Sequence, residues 1–269
     1  MYKNAQYKGK LLASNLEYDW VSYFSDQLAM VIKSNKYGFI NKIGKLVIPL
    51  EYDKSQAFNE GYAIVRKGGK YGFINKNGNI IIPLEYDCVE PFSEGIASVR
   101  KKNKSGALSN NNRIIIPLEY DKVGSCNEGY LIVQKANYKN LIDKTGKVIK
   151  TFDSKYHLID NFNEGLARVM NNNKFGFMNK LGEIIIPLEY NGASSFSEGL
   201  AVVGKITEPE NGMDNYITQQ GNIAFPTNYD VLCDFHEGLA AVCNGLQRDK
   251  FFPSTDYHGN LICTQFVHK

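Results

Sequence analysis

The chain has 269 residues, 43% hydrophobic and 22% charged, with 24 Gly against 8 Pro, so it is long and apolar enough to bury a core and is neither disordered nor collagen-like. Lys plus Arg number 31 and Asp plus Glu 28, an interleaved net charge of +3 that excludes charge-driven binding to nucleic acid or a membrane surface. No apolar core follows the basic N-terminal residues and no apolar run reaches about 18 residues, so neither a secretory signal nor a membrane helix is expected, and a cytoplasmic location is.

In chain order, Gly9-Lys10-Leu11-Leu12-Ala13 comes first. It has the pattern of the third strand of the repeat defined below, and residues 1–17 are expected to form an N-terminal capping strand. From residue 18 to residue 269 the sequence repeats itself about seven times in one continuous domain, usually every 34 residues. Ile48-Pro49-Leu50-Glu51-Tyr52-Asp53 returns at Ile82, Ile116 and Ile186, and in worn form at Phe225. Glu-Gly recurs from Glu60-Gly61 to Glu237-Gly238, with Asp26-Gln27 a degenerate copy, and Tyr37-Gly38-Phe39-Ile40-Asn41 is echoed from Tyr71 and Phe175.

Within the second repeat, Tyr62-Ala63-Ile64-Val65-Arg66 alternates with the period of a strand. A Lys/Gly turn leads to a second strand at Tyr71-Gly72-Phe73-Ile74. Asn75-Lys76-Asn77-Gly78 makes the next turn, its Gly placed for positive φ, and a third strand at Ile80-Ile81-Ile82 is expected to end at Pro83. An irregular return through Tyr86 and Phe92 closes the unit. The fold class is therefore all-β, built of tandem three-stranded antiparallel repeats. They are expected to stack as an open, curved β-solenoid-like array whose last unit is a degenerate C-terminal cap; a closed seven-bladed β-propeller is the alternative. A shared core follows, because one such unit cannot bury its own face. Its ladders are Ala29, Ala63 and Ala97 with their later counterparts, Val residues two positions on, and an aromatic series, Phe24 to Phe235, in which Cys126 is a packing substitute.

These strings resemble the WG (KWG) repeat family of bacterial proteins, whose units run Glu-Gly-Leu-Ala-x-Val, Lys-x-Gly-Phe-Ile-Asn-x-x-Gly, Ile-x-Pro-x-Tyr-Asp. The resemblance covers nearly the whole chain and implies a β-repeat module used for association, with no catalytic residues. At the position that names the family, this chain has Tyr37, Tyr71 or Phe175 in place of Trp, and elsewhere Ser105, Lys139 or Asp214.

The Glu-Gly series and the Asp series after Tyr are two carboxylate arrays. Recurrence in every unit argues that they hold turn amides, so no metal and no cofactor is expected. The column Lys36, Lys70, Lys104 and Lys174 is expected to be a solvated strand edge. Cys126 and His157 break the repeat, yet Cys126 sits at a buried position and no third group orients the pair, so no enzyme is expected. Cys88, Cys126, Cys233, Cys243 and Cys263 share no spacing and are expected to be free thiols.

The functional expectation is a non-catalytic adaptor or regulatory module with a protein partner. An inhibitor or immunity protein masking an enzyme is one alternative. A carbohydrate or cell-wall binder is another, disfavoured because such repeats need stacking aromatics and the single Trp, Trp20, is expected to lie outside the repeated strands. Contact with the partner is assigned to two insertions in corresponding loops of the last units, Lys205, Ile206, Glu208, Glu210, Met213 and Asp214 in one and Leu246, Arg248 and Lys250 in the other.

Overall fold

Each repeat begins where a Glu-Gly pair reverses the chain. In the computed structural model, which describes residues 5–7, 10–12, 18–152, 155–205, 214–225, 231–243 and 265–268, Glu60 and Gly61 have φ of 50° and 84°. Asn59 and Tyr62 exchange both backbone hydrogen bonds across them, at 2.8 and 3.0 Å. Two successive left-handed residues give a hairpin the twist of the strands it joins. The strands Tyr62–Lys67 and Lys70–Asn75 then pair antiparallel, from Tyr62 opposite Asn75 to Lys67 opposite Lys70. Asn75 Oδ1 accepts the N–H groups of Asn77 and Asn79, both at 3.0 Å, and holds the turn into Ile80–Tyr86.

Two expectations are corrected here. Pro83 does not end the third strand, which runs on to Tyr86 with register shifts on both sides of Ile82. This strand lies at the edge of its sheet, where no outer neighbour needs the N–H that proline lacks. The return segment is also ordered: Cys88–Val89 pairs with Ile96–Lys101, Cys88 opposite Arg100 and Val89 opposite Val99. The repeat is thus four-stranded, and its extra strand is too short to display a period.

Six such four-stranded sheets follow one another, each with its strands adjacent in chain order. A three-stranded sheet of Val231–Leu232, Leu239–Cys243 and Gln265–His268 and a two-stranded ladder of Ala5–Tyr7 with Lys10–Leu12 complete the described residues, among which no helix occurs. The all-β tandem repeat is borne out.

The chain divides into two compact units, residues 1–136 with 142–148, and residues 137–141 with 149–269. In the first, Ala63 and Val65 face back onto Phe39, Ile48, Tyr52 and Phe58, while Ile64 faces forward onto Phe92, Ala97 and Leu108. The second unit repeats the arrangement, with Phe177, Ile186 and Tyr190 against Phe196, Ala201 and Val203. Within each unit, successive sheets pack face to face, so the core is shared between repeats as expected. A ring from one repeat meets a ring from the next at 4.8 Å in Phe39–Phe58, 4.5 Å in Phe73–Phe92 and 4.8 Å in Phe177–Phe196.

Candidate interaction surface

The carboxylate arrays are structural, but they act between repeats. In the first unit the turn amides are claimed by the carboxylate of the preceding repeat: Asp26 accepts from Gly61 N–H at 2.7 Å, Glu60 from Glu94 and Gly95 N–H at 2.9 Å each, and Glu94 from Gly129 N–H at 2.8 Å. The second unit does the same through Glu164 to Gly199 and Glu198 to Gly238, at 2.7 and 3.0 Å. With Gly61 already taken, the Glu60 side chain is used one repeat further on. Asn59 and Ser93, each just before a Glu, add a parallel bond to the carbonyl of the next repeat, Asn59 Nδ2 donating to Phe92 O and Ser93 Oγ to Cys126 O, at 2.7 and 2.6 Å.

The Asp array is a second set of staples. Asp53 accepts Lys36 Nζ from the preceding sheet at 2.7 Å and Gly68 N–H from the following hairpin at 2.9 Å. Asp87 takes Lys70 and Lys102 N–H, and Asp121 takes Lys104 and Ala136 N–H. The basic column is therefore a set of pairing partners: Lys36, Lys70 and Lys104 bind these Asp residues and Lys174 binds Asn191 Oδ1 at 2.9 Å. Lysine ammonium groups first, and backbone amides second, hold Asp53, Asp87 and Asp121 below the ordinary carboxylate value of 3.8. A carboxyl that binds its proton less readily when folded adds stability that is complete above 3.8 and disappears as the pH falls through the lower folded-state value. Urea midpoints taken from about pH 5 down to about pH 2.5 should fall less steeply for Asp87→Asn than for the wild type. Parallel curves would show that this pair contributes nothing.

Of the residues assigned to a partner, Lys205 and Asp214 fall within the described chain. Lys205 Nζ is 2.9 Å from Glu189 and lies over the Tyr190 ring, the same contact that Lys101 makes with Glu85 and Tyr86. It is an element of the repeat, worth at most about 1 kcal/mol as an exposed pair. Asp214 opens the strand Asp214–Thr218 opposite Gly204. Ile206, Glu208, Glu210, Met213, Leu246, Arg248 and Lys250 lie outside the described residues. The structure also places Trp20 inside a strand, Trp20–Ser25, at the surface. Cys126 is buried, its Sγ–H pointing to Glu94 at 3.7 Å, and burial followed by the Glu94 charge pushes the thiol up to about 12. Such a thiol stays protonated and is no nucleophile. Cys88 and Cys233 are free thiols too.

Two features escaped the sequence reading. The first residue of the third strand is apolar and exposed in repeat after repeat: Leu46, Ile80 (54%), Ile114 (62%) and Val148 in the first unit, Ile184 and Ile223 in the second. The signal was present, as an apolar residue one or two places after each turn Gly or Asn, but a strand of three Ile in a row does not reveal which side faces water. The second is an open cleft of about 350 Å³ between the third sheet and the strand Lys122–Val123, lined by Cys88, Ser98, Arg100 and Ser105 on one side and Lys122 and Val123 on the other.

The WG containing repeat matches seven successive segments, 8–37, 37–71, 71–104, 106–139, 141–175, 175–205 and 216–245. The chain belongs to the WG-containing repeat family. Comparison with curated proteins gives no match. Among solved structures, a crystal structure of the eukaryotic initiation factor is similar at 12% identity and a TM-score of 0.53, over 83% of this chain and 69% of that one. At that identity the likeness concerns the fold alone. Kluyveromyces lactis Hsv2p is matched at 7% identity and a TM-score of 0.46, over 92% of this chain and 97% of that one. A protein of unknown function from Bacteroides caccae is matched at 12% identity and a TM-score of 0.31, over 71% and 89%. No helix among the described residues is long and apolar enough to cross a membrane.

Proposed function

We propose that this WG-repeat chain is a non-catalytic protein-interaction module that binds its partner along the exposed apolar edges of its third strands. The observation that supports this reading is the recurrence of solvent-facing Leu46, Ile80 and Ile114 at one position of successive repeats. Edge strands are ordinarily blunted by charge, and repeated exposed apolar side chains mark association surfaces. The recurrent carboxylates, by contrast, are engaged in bonds between repeats and serve the fold.

The double variant Ile80→Glu/Ile114→Glu tests it. Both side chains are exposed, so the circular dichroism spectrum and melting curve should match the wild type. Used as bait in an extract of its own cells, the wild type should retain one protein in stoichiometric amount, and the variant should bind that protein at least about tenfold more weakly. Equal retention by the two baits, or no stoichiometric protein on the wild type, would overturn the reading.

A further inference from the structure

One interface lacks four large side chains at once. Where the second repeat sends Ile64, Tyr71 and Phe73 towards its successor, the third sends Ser98, Ser105 and Ala107. On the opposing side, Cys126 stands where Phe58 and Phe92 stand in earlier repeats. The alanine and the cysteine are absorbed into a smaller core with Ile116, Leu131 and Val133. The two serines are not absorbed, and the cleft opens over them.

The second repeat shows what this position is shaped to hold. There Arg66 is directly opposite Tyr71 and its guanidinium lies over the ring, 5.5 Å from the centroid. In the third repeat the arginine is kept as Arg100, directly opposite Ser105, and the ring is gone. Ser98 and Ser105 are the buried polar residues of the described chain, each 8% exposed. The Ser98 hydroxyl bonds to no described residue, and the Ser105 hydroxyl reaches only Asp121 O, at 3.4 Å, the limit of a hydrogen bond. Both serines line the open cleft, where an incoming polar group can take the place of water at their hydroxyls. Asp121 cannot neutralise the site, because its carboxylate is occupied by Lys104 and Ala136 N–H. Arg100 and Lys122 are left at the mouth as cations, with Val123 as an apolar wall and Glu90 at the rim.

We propose that this cleft receives an aromatic side chain of the partner protein, a tyrosine by preference, which takes the place of the missing ring. The inference rests on the interaction reading above. The ring face stacks against Arg100 as Tyr71 does against Arg66, and the phenol meets the serine hydroxyls. A volume of about 350 Å³ is enough for one such side chain and near the lower end of ligand pockets. An aromatic anchor in a desolvated pocket is the usual form of a binding hot spot, and a guanidinium is its usual complement.

The test uses p-cresol, the tyrosine side chain without its backbone, titrated into the isotope-labelled full chain and followed by amide chemical shifts. Saturable shifts are expected at Ser98, Arg100 and Ser105, with a dissociation constant on the order of millimolar for so few atoms. 4-Methylcyclohexanol, of similar size without a π face, should bind at least about fivefold more weakly. Ser105→Tyr should restore the arrangement of the second repeat, raising the melting temperature and abolishing the cresol shifts. Arg100→Gln, which leaves the backbone pairing intact, should weaken cresol at least about fivefold, so the proposal does not depend on Ser105→Tyr folding. Absence of saturable shifts in the wild type, equal binding of 4-methylcyclohexanol, or indifference to Arg100→Gln would overturn the aromatic slot. None of these readouts needs the partner, so they fail separately from the Ile80/Ile114 experiment. If cresol binds as expected but a folded Ser105→Tyr bait keeps its protein, the assignment to a partner side chain is overturned and a free aromatic molecule takes its place.

Discussion

Replacing Gly72 by alanine should lower the unfolding free energy by about 3 kcal/mol or more, read as a large drop in the urea midpoint with an unchanged slope. A Cβ added there would lie 2.5 Å from Ile82 O and 2.7 Å from Pro83 O. Both atoms belong to the backbone of the third strand, which the bulge around Ile82 presses against this point, so neither can swing aside. The same approach recurs at Gly38, Gly106 and Gly176, with 2.6, 2.6 and 2.5 Å to the matching carbonyl. The Gly of the Tyr-Gly pair is thus required by close contact between two strands. Gly61 differs: it is left-handed at φ 84° with nothing within 4 Å, and alanine there should cost only about 1–2 kcal/mol of backbone strain. Gly192, with neither constraint, is the control and should be nearly neutral. A Gly72→Ala protein within about 0.5 kcal/mol of the wild type would mean that the strand relaxes away, and that the glycine is not held by contact.

The same glycine shows what the sequence made legible. Alternation in Tyr62–Arg66 assigned both faces of the strand correctly, because a residue buried from two sides must be small or branched at Ala63 and Val65 and large at Ile64. The Asn-x-x-Gly turn was legible because positive φ and an Asx bond demand those residue types. Cys88–Val89 was not, since two residues carry no period. Pro83 misled for a related reason: proline forbids an inner strand but is harmless at an edge, and a single repeat does not say which strand is outermost.

At the level of the site, the carboxylates were legible as holders of turn amides, but not which repeat's turn each one holds. A turn supplies its own nearby amides, and only the stacked neighbour reveals that Asp26 has already taken Gly61. Lys205 was assigned to an inserted loop, although its spacing of 16 residues from Glu189 is that of Lys67 from Glu51 and Lys101 from Glu85. The cleft lay deeper. Ser105 alone is a surface-compatible substitution and Ser98 alone a tolerable one; their meaning appears only when Ala107 and Cys126 are placed on the same interface.

Phe92→Ala should be the second severe substitution, costing about 3–5 kcal/mol. The ring is 3% exposed and is packed against Phe73 at 4.5 Å and Tyr62 at 4.9 Å, both from the preceding repeat. Its loss takes buried area from two repeats at once, and in a stacked array the interface terms carry much of the stability. The Asn59 bond to Phe92 O is a backbone contact and should survive, which confines the effect to the cavity. The third interface indicates how the damage could be contained: Cys126 occupies the equivalent position there, but it faces Ala107 where Phe92 faces Phe73. Phe92→Cys alone leaves Phe73 beside a void, whereas Phe73→Ala with Phe92→Cys reproduces the natural pair. A double-mutant cycle should therefore show the combined cost falling short of the sum of the single costs by at least about 0.5 kcal/mol. Strict additivity would mean that the two rings do not share a packing site, and a Phe92→Ala cost below about 1 kcal/mol would mean that the repeats do not share their core.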